Sequence, residues 1–154
     1  MRIAQSIEAG LDHENIVKLS ESWIQQARIF VSVKTLKYMV RGGRVSQMKG
    51  LIARLLNINP IVSLDENGKS MIFGKTYSQK ANMEKVIQHV GSLLKEKNVW
   101  NYVVLHANNI SAAGWYEQQM RLLTGQDPLS VVDISPVVGA NAGIGAASVA
   151  LMLE

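Results

Sequence analysis

Two glycine-rich stretches hold the residues best suited to grip an anion. In "RGGRVSQ", Arg41 to Gln47, two arginines flank a Gly-Gly pair. Arg44 offers a planar, permanently charged fork that matches a carboxylate or a phosphate. In "PVVGANAGIG", Pro136 to Gly145, Gly139, Gly143 and Gly145 follow a short apolar run. A loop of that kind can turn successive backbone N–H groups toward an anion. Spacing alone leaves a second reading open for each. The first stretch also reads as a helix stop followed by a solvated arginine, and the second as a structural turn.

The histidines are His13, His89 and His106. None stands at ligand spacing from another His, Asp or Glu, so no metal site is expected. His13 and His89 fall within helical patterns and read as surface residues. His106 ends a strand, where its ring can hydrogen-bond the following loop. No Gly-x-Ser-x-Gly elbow, Walker motif or dinucleotide fingerprint fits the chain.

These residues must be positioned by a rather ordinary globular chain. Its 154 residues suit one domain, and 47% hydrophobic with 18% charged residues is a folded composition. Absence of cysteine excludes disulfides and thiolate metal sites. It also fits a reducing, cytoplasmic setting. The net charge of +4 is spread along the chain, which does not point to nucleic acid. No apolar run reaches the roughly 18 residues of a membrane span.

Periodicity supplies the elements. The N-terminus reads as a helix with Ile3 and Ile7 one turn apart and Gly10 as its stop, so the chain is expected to be a piece of something longer. Asp12 is placed to cap a second helix carrying Ile16, Leu19, Trp23 and Ala27. "RIFVSV" is a strand, and Thr35 caps a short helix stopped by Gly42-Gly43. A helix from Ser46 carries Met48, Leu51, Ile52, Leu55 and Leu56 on one face. "INPIVSL" and "KSMIFGKT" are arms of a β-hairpin, with Asn67-Gly68 tolerating positive φ between them. The clearest stripe runs from Gln79 to Lys97: Met83, Val86, Ile87, Val90, Leu93 and Leu94. A strand ending near His106, a helix capped by Ser111 and stopped by Gly125, and the strand "LSVVDIS" follow. The tail is ambiguous between helix and closing strand. Strands alternating with helices, interrupted by one hairpin, predict an α/β fold with a mixed sheet covered by helices.

Three segments, in order along most of the chain, resemble one family. "TLKYMVRGGRVSQMKGLIARLLNINPIVSLDENGK" is similar to the DegV pattern T-L-x-Y-L-x-x-G-G-R-I followed by a helix ending in a sequence like "LLNIKPIL". "VVLHANNISAAGWY" resembles the family's strand, its His-Ala pair and the next helix. "ISPVVGANAGIGAASVAL" looks like its C-terminal motif, near G-P-V-I-G-x-H-T-G-P-G-A-x-G.

The resemblance implies a great deal. DegV proteins are bacterial fatty-acid-binding proteins of two α/β domains with the acyl chain between them. Thr and Ser residues of the N-terminal domain hold the carboxylate, and some members present the fatty acid to a kinase. Residues 1–154 then read as one C-terminal domain, a two-layer unit on a six-stranded mixed sheet whose tail is a closing strand, without the N-terminal carboxylate site. Arg44, Asn141, Ala142 and Gly143 are its expected headgroup residues. Met48, Ile52, Leu55 and Leu56 are its candidates for the acyl wall. Asn141 stands where the family pattern has His, Ala142 replaces Thr and Ile144 replaces Pro. Asn donates a hydrogen bond but carries neither proton nor charge near neutral pH. The resemblance further implies no enzyme activity and no cofactor. A homodimer through the face meant for the missing domain is expected. Rival readings are a phosphate- or nucleotide-binding transferase and a pure interaction module.

Overall fold

The computed structural model describes residues 1–44 and 58–154. The expected helix bearing Met48, Ile52, Leu55 and Leu56 lies outside the described residues.

Two helices open the chain, α1 (Arg2–Glu8) and α2 (His13–Gln26). Asp12 caps α2 by accepting from the Asn15 N–H at 2.9 Å. Neither helix buries a residue. Arg2 ties them to the sheet: its guanidinium lies 4.6 Å from the Trp23 ring centroid and 5.4 Å from that of Trp100, and its Nη1 donates to the Leu153 carbonyl of the last strand at 3.3 Å.

The sheet has six strands in the order β3-β2-β1-β6-β4-β5. They are β1 (Ala27–Ser32), β2 (Asn59–Leu64), β3 (Ser70–Thr76), β4 (Val99–His106), β5 (Ser130–Asp133) and β6 (Ala147–Leu153). All neighbours pair antiparallel except β4 and β5, which run parallel. The mixed sheet is therefore present, and the ambiguous tail is its β6, bonded on both sides. A central strand, paired along both edges and mostly buried, suits "ASVALML", which carries no charge.

Two long helices, α4 (Gln79–Leu93) and α5 (Ile110–Thr124), cover one face. The register sets Phe30, Val149 and Val104 in a row across β1, β6 and β4, all buried beneath them. Met83, Val86 and Val90 of the expected stripe reach this core, and Tyr116 and Met120 of α5 complete it. Polar groups inside are paired: Tyr116 Oη lies 2.8 Å from Ser32 Oγ. Asn82 donates to the Pro60 carbonyl at 3.1 Å and accepts from Thr76 Oγ1 at 3.0 Å.

Several local expectations need correction. Helix α4 stops at Leu93 rather than Lys97. Asn109, not Ser111, caps α5, accepting from the Ala112 N–H. In the hairpin only Gly68 takes positive φ, at 73°. Asp65 instead organises the turn, accepting from the Asn67 and Lys69 N–H groups. His89 is half-buried rather than a surface residue, because Phe30 and Phe73 pack on its ring.

Candidate functional site

The two glycine-rich stretches meet at one end of the second sheet face. The first is built from α3 (Lys37–Arg41); Leu36 rather than the expected Thr35 stands at its cap position, and Thr35 Oγ1 accepts from the Lys37 N–H alone, at 3.2 Å. Helix α3 ends in a Schellman turn: the Arg44 N–H donates to the Met39 carbonyl and the Gly43 N–H to that of Val40. Gly43 takes the left-handed conformation that turn requires, at φ 68°. Gly42 has an ordinary φ of −77° and serves a different need. The space in which its β-carbon would stand is filled by the Asn141 carboxamide.

The second stretch is not a loop over most of its length. Pro136–Ala142 form a short helix, α6, with Pro136 in its first turn, where a missing N–H costs nothing. Asn141 and Ala142 sit on its last turn. Asn141 Nδ2 donates back to the Val137 carbonyl at 3.0 Å. Gly143 ends the helix at φ 83° and ψ 157°, a conformation nearly confined to glycine. The ring of Tyr38 packs against it.

This geometry corrects the idea of a nest of free donors. The Gly143 N–H donates to Gly139, that of Gly145 to Ala107 and that of Ala146 to Gly143. The Gly145 carbonyl accepts from Gln79 Nε2 at 2.5 Å and from Asn109 Nδ2 at 2.8 Å. The glycines shape the segment and let α3 approach it. Positive charge comes from elsewhere. Lys34, Lys37, Arg41 and Arg44 are exposed on or beside α3, and no acidic residue occurs from Ala27 to Leu64.

His106 lies under this end of the sheet, and its environment was hidden in the sequence. Parallel pairing of β4 with β5 sets His106 opposite Asp133. His106 Nδ1 and Asp133 Oδ1 are 2.8 Å apart, while the Asn109 N–H lies 3.4 Å from the same nitrogen. One ring nitrogen cannot donate and accept along both directions, and the shorter contact with the carboxylate dominates. The pair closes the β4–α5 loop, where Asn108 takes φ 50° and donates its N–H to Asp133. Among the described residues, no group of three or more His, Asp or Glu could hold a metal ion.

The rest of that second face is largely apolar, with Ser148 and Asn101 as polar positions in it. Ile29 and Val31 of β1, Val103 and Leu105 of β4, and Ala150 and Met152 of β6 alternate away from the helices and are half-buried. A small cluster under α3 (Val33, Leu36, Met39, Val62 and Ala146, with Ala142 against it) fills one end. At the other end lies an open trough of about 940 Å³, walled by Ile24, Ile29, Met71, Trp100, Val103 and Met152 and, on its polar side, by Arg28, Asn101 and the hairpin residues Asp65, Glu66 and Asn67.

A six-stranded mixed sheet with helices over one face, a largely apolar second face and an α3/α6 junction at one end defines a two-layer α/β domain. The family profile described as uncharacterised protein of the DegV family matches residues 1–154, and the chain belongs to that family. A DegV domain-containing protein of Clostridium acetobutylicum is 28% identical over 151 residues, covering 98% of this chain and 54% of the relative. A second from that organism is 27% identical over 143 residues, covering 92% and 50%. The chain thus spans about half the length of these relatives. Among solved structures, a fatty acid binding DegV family protein from Streptococcus agalactiae superposes with TM-score 0.88 at 22% identity, covering 99% of this chain and 53% of that one. The structure described as DegV, a fatty acid binding protein from Bacillus subtilis, gives 0.84 at 23% identity, covering 99% and 54%. At such identities the likeness shows the fold. No described helix is long and apolar enough to cross a membrane.

Proposed function

We propose that this chain is the C-terminal half of a fatty-acid-binding protein and forms one wall of the site for a long-chain fatty acid. The observation that carries this reading is the largely apolar second sheet face, with its trough of about 940 Å³. An acyl chain is the ligand such a surface suits, since each CH₂ withdrawn from water contributes about 0.8 kcal/mol. A carboxylate needs donors or positive charge wherever it is buried. On this reading the α3/α6 end supplies the charge through Arg44, beside Asn141, Ala142 and Gly143. Met48, Ile52, Leu55 and Leu56 are proposed to extend the acyl wall. The remaining carboxylate donors come from an N-terminal half, of the length by which the relatives exceed this chain.

The role is carriage rather than catalysis, in the cytoplasm, with presentation of the fatty acid to a kinase as the downstream step. Taken alone, the chain is expected to bind ligand weakly and to pair with a second copy through its exposed apolar face. A clean monomer in sedimentation at high concentration counts against that pairing.

Mass spectrometry of lipid extracted from the full natural protein and from this chain alone tests the main reading. Fatty acid on the full protein, with little or none on the chain, is the expected result. Fatty acid on neither overturns it.

A further inference from the structure

Gly42 and Asn141 form a matched pair whose fit the binding reading does not require. Gly42 has a backbone conformation open to any residue, so its lack of a side chain is not a conformational need. A β-carbon there would overlap Asn141 Oδ1 and stand 3.0 Å from Asn141 Cγ. Gly43 is the opposite case: its φ of 68° favours glycine, and a β-carbon would meet nothing within 4 Å. The Asn141 carboxamide is held by one hydrogen bond, from Nδ2 to the Val137 carbonyl, and its Oδ1 lies over Gly42. One turn away the fit is reversed, with Tyr38 of α3 lying over Gly143. Helix α3 and the end of α6 therefore interlock in both directions. The turn that carries Arg44 is fixed to α6 by the volume at these positions.

We infer that Asn141 is a positioning residue, which sets the Gly42-Gly43-Arg44 turn by filling the space over Gly42 rather than by touching ligand. Its effect on binding rests on the fatty-acid reading above; its effect on the turn does not. Five variants separate the two: Gly42→Ala, Asn141→Ala, the double variant, and Gly43→Ala with and without Asn141→Ala. Amide hydrogen exchange at Arg44 reports the turn in the chain itself. Gly42→Ala should speed that exchange about tenfold, and the double variant should return it to within about threefold of the parent, as coupled neighbours do. Gly43→Ala should not be rescued by Asn141→Ala, because its strain lies in φ.

In the full natural protein, affinity for the fluorescent fatty acid cis-parinaric acid should follow the same pattern, falling with Gly42→Ala and recovering in the double variant. A double variant as perturbed as Gly42→Ala overturns the inference. So does loss of probe binding from Asn141→Ala with the Arg44 amide still protected, which would make Asn141 a ligand contact. A parent protein that fails to bind the probe refutes the fatty-acid reading, while the exchange rescue still decides the interlock.

Discussion

The aromatic ring of Tyr38 occupies the space in which a β-carbon on Gly143 would stand. Residue 143 also sits at φ 83° and ψ 157°, so two independent costs meet at one position. The strained conformation is worth about 1–3 kcal/mol in a non-glycine residue. Overpacking against the ring adds about 1–3 kcal/mol. Gly143→Ala should therefore lower stability by roughly 2–6 kcal/mol in urea titration. Adding Tyr38→Ala to it should relieve only the overlap. Complete recovery in the double variant would show that the backbone conformation costs nothing.

A second expectation concerns the hydrogen bond between Ser32 and Tyr116, buried between the sheet and α5. Tyr116→Phe strands the Ser32 hydroxyl, and a buried group left unpaired costs about 1–3 kcal/mol. The double variant Ser32→Ala with Tyr116→Phe should recover much of that loss. Burial, opposed in part by the bond to Ser32, pushes the Tyr116 phenol well above its ordinary value of 10.0. A raised folded-state value means that the unfolded chain releases this proton first. Stability from Tyr116 is thus complete below pH 10 and declines above it. In alkaline unfolding the parent should lose stability more steeply above pH 10 than Tyr116→Phe does.

How much of this was legible in the sequence depended on whether the cause was local. The stripe of Met83, Val86 and Val90 is one face of one helix, and Asp12 lies next to the N–H it caps, so pattern alone located both. Helix α6 was different. A segment with Gly139, Gly143 and Gly145 has weak helix propensity, and it is stabilised by packing against α3, which lies far away in sequence. His106 and Asp133 carry no sequence spacing that joins them; the parallel register of β4 and β5 does. At the candidate site Arg44 and Asn141 could be singled out, and resemblance tied their segments together. That Gly42 answers a packing need and Gly43 a backbone one required the facing surface.

Arg44 supplies the next test. If a carboxylate is held near α3, removing this fixed charge should weaken cis-parinaric acid binding by the full natural protein about tenfold, within the range of a charge-assisted hydrogen bond. Arg44→Lys should fall between, since it keeps the charge but loses the planar fork. The loss should shrink as salt is raised, because exposed charges are screened. Equal affinity for parent and Arg44→Ala at low salt would remove Arg44 from the headgroup site.

His89 gives a prediction read directly from its surroundings. Its ring centroid lies 4.5 Å from that of Phe73 and 5.2 Å from that of Phe30. Burial first, and the positive charge of Arg28 second, hold its pKa below the ordinary 6.5. The unfolded chain therefore binds this proton more readily than the folded one. Stability from His89 is present above pH 6.5 and is lost as pH falls through the lower folded value. An NMR titration of the ring should give a midpoint below 6.5. Phe73→Ala should move it upward by admitting water. Added salt should move it upward less, because only the Arg28 contribution is screened. A midpoint at or above 6.5 in the parent would mean that the aromatic packing does not exclude water from the imidazole.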